Sequence, residues 1–92
     1  MALTLTELFE KQSESVFRNK VSAACWRYAK TLLAKATPTN QELKMAVKLL
    51  TGGALQQFVI AAAVLIDDAE VTDAAIETAV VTTANKLVVL EI

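Results

Sequence analysis

The sequence contains no histidine, one cysteine (Cys25), one proline (Pro38) and two glycines, at positions 52 and 53. Without histidine, the chain lacks the commonest general base and metal ligand of proteins. A lone cysteine excludes an intrachain disulfide and is consistent with a reducing compartment. The scarcity of glycine and proline leaves little sequence for turns, which favours helices joined by short connections.

Charge is not concentrated anywhere along the chain. Nine basic and ten acidic residues give a net charge of −1, and the basic residues are scattered. A DNA-binding surface needs a dense stripe of cations to release counterions. The longest apolar run covers residues 58–66, whereas a transmembrane helix needs about 20 residues. We therefore expect no membrane span and no specific nucleic-acid binding.

Apolar residues are abundant. They make up 54% of the 92 residues, against about 45–50% in typical domains. A chain of this length forms one domain with one modest core. The surplus indicates either tightly connected helices or surface reserved for partners. Because no segment of signal type follows Met1, we expect synthesis and folding in the cytoplasm.

Capping residues and apolar spacing predict five helices, near residues 5–11, 14–35, 40–51, 54–66 and 73–86. Capping boxes are predicted at Thr4–Glu7 and Thr39–Glu42. Pro38 follows the second helix, and the glycine pair at 52 and 53 is expected to end the third. The sequence therefore predicts an all-α fold, a compact bundle of about five helices over residues 1–86.

The spacing also predicts which residues face the core. The second helix is expected to bury Phe17, Val21, Ala24, Cys25, Tyr28 and Leu32, with Ala29 and Leu33 widening this face. The third is expected to bury Leu43, Ala46, Val47 and Leu50, and the fourth Leu55, Phe58, Val59, Ala62, Leu65 and Ile66. The fifth is expected to bury Ile76, Val80, Thr83 and Leu87. Together these faces would form a single core.

Residues 87–92 form an apolar C-terminal tail. Its aliphatic residues are Leu87, Val88, Val89, Leu90 and Ile92. β-Branched residues favour an extended tail, and a continued helix is the alternative. The tail either packs on its own domain or is received by a neighbouring subunit, and we predict that it is a docking arm.

No catalytic constellation is evident, and we expect a protein that is not an enzyme and holds no cofactor or metal. Asp67, Asp68 and Glu70 lack the spacing of a calcium loop and predict a solvated acidic loop. Cys25 has no histidine partner and is expected to be a core residue. Trp26 lies at the edge of an apolar helical face, where core packing and a partner contact are both open. We name Trp26 and the tail aliphatics as candidate protein-interaction residues.

An ordered set of motifs spans residues 3–84. These motifs are Thr4-Leu5-Thr6-Glu7-Leu8, a long basic and apolar helix, Thr37-Pro38-Thr39-Asn40, and Thr72-Asp73-Ala74-Ala75-Ile76 followed by Val80. Their order resembles that of small helical proteins encoded among the structural genes of tailed bacteriophages. Two features depart from that pattern: Thr39, which interrupts the Pro-Asn pair, and the residues after Ala84.

The resemblance implies a non-enzymatic virion component, either a neck or head–tail adaptor or a capsid-associated protein. Its implied partners are capsid, portal or tail proteins and copies of itself. The implied localisation is the host cytoplasm during synthesis and then the virion. Assembly proteins need adhesive surface rather than reactive groups, and many copies make a weak contact strong.

Two other functions stay open. One is a cytosolic helical adaptor or regulator that binds a single protein partner through Trp26 or the tail. The other is a small DNA-binding regulator. That second alternative lacks a basic recognition helix, because the most basic segment, residues 18–35, is also rich in apolar residues.

Overall fold

Helix α2 (Glu14–Leu33) lies at the centre of the bundle. The computed structural model describes residues 3–90, with side chains as far as residue 87. Helices α1 (Leu5–Lys11), α3 (Asn40–Thr51), α4 (Leu55–Ile66) and α5 (Asp73–Leu90) all pack on α2. Helix α4 also packs on α5, and the bundle measures 42 × 22 × 20 Å. The predicted all-α bundle of five helices is confirmed.

The helix boundaries follow from capping chemistry. The Thr4 hydroxyl accepts from the Glu7 amide at 3.3 Å, and the Glu7 carboxylate accepts from the Thr4 amide at 3.2 Å. The same reciprocal pair joins Thr39 and Glu42 at 3.1 and 2.9 Å, so both predicted capping boxes are confirmed. Gly52 ends α3 with a φ of 73°, a left-handed conformation that glycine adopts without steric cost.

A tight turn separates α4 from α5. The Ala69 amide donates to the Ile66 carbonyl at 2.9 Å, and Asp67 has φ 50° and ψ −116°. These angles match the first central position of a type II′ turn, which glycine normally occupies. The Val71 amide then donates to the Leu3 carbonyl at 2.7 Å, so the N-terminal segment holds this turn against the bundle.

The core is continuous through α2, α3, α4 and α5. Its largest fully buried side chains are Phe17, Val21, Met45, Phe58, Ile76 and Val80. The predicted faces of α2 and α5 are largely confirmed. Thr83, the buried polar residue of α5, donates its hydroxyl to the Ala79 carbonyl at 2.8 Å, which removes the cost of burying an unpaired hydroxyl.

The predicted inward face of α3 is correct for Ala46, which is buried, and for Leu50, which packs against the core, but it is wrong for Leu43 and Val47. Met45, Ala46 and Leu49 are the buried residues, whereas Leu43 and Val47 are 39% and 59% exposed. The helix is therefore turned by about one residue, or roughly 100°, from its most apolar face. Ala46 is inward in both orientations, and the flexible Met45 side chain is buried in place of Val47.

Smaller differences occur at the edges of the other faces. Leu33 and Leu65, predicted to be buried, are 48% and 45% exposed, and Tyr28 is half-buried. Helix α2 ends two residues earlier than predicted, at Leu33. The Ser13 side chain makes no capping hydrogen bond to the helix, and its hydroxyl lies 3.1 Å from that of Ser15.

The predicted tail begins inside α5. This helix continues to Leu90, so the continued-helix alternative holds for the backbone of residues 87–90. Leu87 is partly buried against the core. The side chains of Val88, Val89 and Leu90, and all of residues 91 and 92, lie outside the described part of the chain. The docking role of the tail therefore stays a prediction.

Candidate protein-interaction surface

Helix α4 is apolar on the side that faces away from the core. Phe58, Ala62 and Ile66 are buried on its inner side. On the outer side, Ile60 is 57% exposed and Val64 is 72% exposed. The outer side of a surface helix is ordinarily polar. An apolar helix with one open side indicates a surface that a partner covers.

A groove adjoins this outer side between α4 and the first two helices. Its volume is about 280 Å³, and its apolar lining consists of Phe9, Phe17, Val59, Ile60, Ala63 and Val64. The Phe9 and Phe17 rings meet edge to face, with centroids 6.1 Å apart. We call Phe9, Val59, Ile60, Ala63 and Val64 the α4 surface.

The charged groups at the edge of the α4 surface are few. Glu14 and Arg18 line the groove beside it, and the Arg18 guanidinium donates from Nη1 to Gln56 Oε1 at 2.6 Å. This bond ties α2 to the start of α4. The α4 surface is therefore an apolar ridge and groove with a fixed polar edge, an arrangement typical of protein interfaces.

A second groove lies on the opposite flank of α4, where this helix meets α5. Its volume is about 390 Å³, and we call it the α4/α5 groove. Its lining residues are Leu65, Ile66, Ala69, Ala74, Ala75, Thr78, Ala79 and Thr82. Small residues of α5 form most of its wall, and they leave room for a side chain of another molecule.

The predicted interaction residue Trp26 lies on the outside of α2. Its exposed fraction is 49%, so the core-packing interpretation is wrong and the partner-contact interpretation stays a prediction. Trp26 lines neither the groove beside the α4 surface nor the α4/α5 groove. Leu87, the predicted tail residue with a described side chain, packs against the core. The structure therefore does not bring Trp26 and Leu87 into the α4 surface.

Sequence reasoning missed Phe9, Ile60 and Val64. A signal for two of them was present, because residues 58–66 contain no polar side chain on any face of a helix. In a domain of this size, such a helix has too few neighbours to be covered all round. Phe9 gave no comparable signal, since its position depends on how α1 folds back onto α2.

Two ion pairs connect separate elements of the bundle. Arg27 Nε lies 2.7 Å from Glu77 Oε1 and joins α2 to α5. Lys35 pairs with Glu42. The Lys35 hydrogen bond, with help from the Thr39 amide, lowers the pKa of Glu42, and the same bond raises the pKa of Lys35.

Cys25 is not placed to act as a nucleophile. Burial raises the pKa of its thiol to about 11, so the thiol stays protonated at neutral pH. Among residues 3–90, no group of three or more Cys, Asp or Glu side chains is placed to hold a metal ion. Within the same residues, no single helix is long and apolar enough to cross a membrane. Helices α3 and α4 pass that test only as a pair bent by 96°.

No protein-family model matches this chain, and no curated protein or solved structure matches it either. The resemblance to phage structural proteins therefore stays a prediction from the motifs. Function is inferred from the exposed apolar surface and from the chemistry of the residues beside it.

Proposed function

We propose that this protein is a non-enzymatic assembly protein that docks on neighbouring subunits through the α4 surface. The observation that carries the proposal is the exposure of Ile60 and Val64 directly opposite the core, next to a groove edged by Phe9. Fully burying one large apolar side chain contributes roughly 1.5–3 kcal/mol. Covering this ridge and groove would therefore favour association without any reactive group.

The particle in which it assembles is proposed to be that of a tailed bacteriophage, as the motif resemblance implies. The role would be that of a neck or head–tail adaptor or a capsid-associated protein, in contact with capsid, portal or tail components. Rings and shells contain many copies of each subunit. A modest apolar contact then becomes strong through multivalency.

The exposure of Trp26 supports a second candidate function, a cytosolic adaptor or regulator that binds one protein partner. Tryptophan is enriched at binding hot spots, and this side chain is half exposed on α2. The DNA-binding alternative is less favoured. Three basic residues of its most basic segment, Arg18, Arg27 and Lys35, are already engaged with Gln56, Glu77 and Glu42.

Incorporation into particles tests the proposal. Phage particles assembled without the protein would be mixed with purified wild-type chain or with Ile60→Asp or Val64→Asp, then separated by sedimentation. We expect the wild type to sediment with the particles and each variant to bind at least about tenfold more weakly, a loss of about 1.4 kcal/mol. Circular dichroism would verify that each variant is folded.

Leu33→Asp is the matched control, because Leu33 is exposed to a similar extent but lies on α2. It should bind particles as the wild type does. Folded Ile60→Asp and Val64→Asp variants that bind normally would contradict the role of the α4 surface. The adaptor function would be favoured instead if the protein were absent from purified particles and Trp26→Ala abolished binding to its protein partner.

A further inference from the structure

Helix α3 presents apolar and basic side chains to the outside. Leu43 and Val47 are exposed and lie one helical turn apart. Lys44 and Lys48 line the same shallow depression as this apolar pair. We call these four residues the α3 face. Two α3 faces brought together would place like charges near one another, so the surface that complements this face is apolar with an acidic edge.

The α4/α5 groove of the same chain has that character. Leu65 and Ile66 supply apolar wall, and Asp67 and Asp68 occupy the turn between the lining residues Ile66 and Ala69. Both aspartates are exposed to solvent. Apolar contact and opposite charge are therefore available together at this groove.

The α3 face is also short enough to fit in the α4/α5 groove. At a rise of 1.5 Å per residue, Leu43 and Val47 are about 6 Å apart along α3. The groove follows α5 from Ala74 to Thr82, which corresponds to about 12 Å of helix. A single helical turn carrying two aliphatic side chains is therefore shorter than the groove that would receive it.

We propose that the α3 face of one copy docks in the α4/α5 groove of a second copy, with Leu43 and Val47 in the groove and Lys44 toward Asp67 and Asp68. The two surfaces share no residue, so each copy can donate one and receive the other. Such a head-to-tail contact generates a ring if the rotation closes and a helical filament if it does not. This inference rests on the proposed assembly role but uses residues distinct from the α4 surface.

Charge reversal tests this contact by sedimentation velocity at about 100 μM protein. We expect the wild type to self-associate, and to do so more strongly at about 50 mM than at about 500 mM NaCl, because salt screens exposed charges. Lys44→Glu and Asp68→Lys should each weaken self-association by about tenfold. The double variant Lys44→Glu/Asp68→Lys should associate again, because both partners of the contact are reversed.

An equimolar mixture of the two single variants provides a second readout. Each variant has a surface of the charge that the other requires, so the mixture should associate more strongly than either variant does alone. Lys30→Glu and Glu10→Lys are the controls. They carry the same net charges as the test variants, but their exposed positions lie on α2 and α1. These controls should behave as the wild type does, both alone and mixed.

A wild-type chain that stays monomeric under all these conditions would overturn the proposal. So would an unchanged association of either single variant, or a double variant that does not recover. Ile60→Asp should self-associate normally while losing particle binding, which separates failure of this contact from failure of the α4 surface.

Discussion

Phe58 and Ile60 are two residues apart on α4, yet Phe58 is fully buried and Ile60 is 57% exposed. Residue type does not distinguish them, since both side chains are large and apolar. The two side chains differ in their direction on the helix, because two residues correspond to about 200° of rotation. At the residue scale, direction therefore decides whether an apolar side chain belongs to the core or to a surface for partners.

Asp67 is the one non-glycine residue with a positive φ in the described part of the chain. Its φ of 50° lies in a region that residues other than glycine rarely adopt. Asp67→Gly should remove this strain and raise the free energy of unfolding by about 1 kcal/mol, after the greater flexibility of glycine in the unfolded chain is subtracted. Urea denaturation would measure the change.

Asp68→Gly is the matched control for the turn. Asp68 is not among the residues with positive φ, so glycine there should destabilise the protein by about 0.5–1 kcal/mol. If Asp67→Gly were destabilising to the same extent as Asp68→Gly, the proposed strain at Asp67 would be wrong.

At the scale of elements, the orientation of α3 makes a direct prediction. Met45→Ala should cost about 2–5 kcal/mol of unfolding free energy, because Met45 is buried and the change leaves a cavity. Leu43→Ala should cost less than about 1 kcal/mol, because Leu43 is 39% exposed. Chemical denaturation of both variants would test this order. If the two variants lost equal unfolding free energy, or if Leu43→Ala lost more, the orientation of α3 described above would be wrong.

The junction between α2 and α3 should make stability depend on pH. The Lys35 hydrogen bond lowers the pKa of Glu42 below its usual value of 4.5 in the folded protein. The unfolded chain therefore binds more protons, so the stabilisation is present above about pH 4.5 and is lost as the pH falls through the folded pKa. We expect the melting temperature to fall between about pH 7 and about pH 3.

Glu42→Gln isolates the contribution of the charge. Glutamine can replace glutamate in a capping box, so the cap is kept while the ionisable group is lost. The fall in melting temperature on acidification should be smaller in this variant than in the wild type. Glu10→Gln, which removes an exposed carboxylate from α1, should leave the fall unchanged. An equal fall in Glu42→Gln and the wild type would exclude Glu42 as a source of the pH dependence.

At the scale of the whole molecule, the apolar surplus exceeds what one small core takes up. The large hydrophobic residues left exposed include Phe9, Trp26, Leu33, Leu43, Val47, Ile60, Val64, Leu65 and Val81. They lie on all five helices rather than on one face. Several contacts with neighbouring molecules fit this distribution better than one, which agrees with the proposed assembly role.

Deletion of residues 88–92 tests the predicted docking arm. If the tail docks on a neighbouring subunit, the shortened chain should melt nearly as before but fail to join particles. If its four aliphatic residues belonged to the core, each loss would cost roughly 1.5–3 kcal/mol. Together these losses would remove most of a total unfolding free energy of about 5–15 kcal/mol. Thermal melting and particle sedimentation would be measured on the same preparation.

A second variant with residues 88–92 replaced by glycine and serine would keep the chain length. It should behave like the deletion, because the docking prediction depends on the aliphatic side chains. A shortened chain that is unfolded at room temperature would show that the tail belongs to its own domain.

The number and order of the helices were predictable because their signals are local. The pairs Thr4–Glu7 and Thr39–Glu42 are three residues apart, and each closes its capping box within one turn. The left-handed conformation of Gly52 is local in the same sense. The long face of α2 was also predictable, because a helix surrounded by neighbours buries whatever apolar stripe it has.

The rotation of α3 and the open side of α4 were decided by tertiary structure. Spacing alone placed Leu43 and Val47 inward, but packing in the bundle buries Met45 and Leu49 and leaves Leu43 and Val47 exposed. Spacing placed the core face of α4 correctly at Phe58, Ala62 and Ile66. It could not show that no other helix of the described chain would cover the opposite side. The sequence by itself determined where the helices begin and how much apolar surface they carry. Which part of that surface stays open depended on packing between residues distant in the chain, and no local pattern encodes that choice.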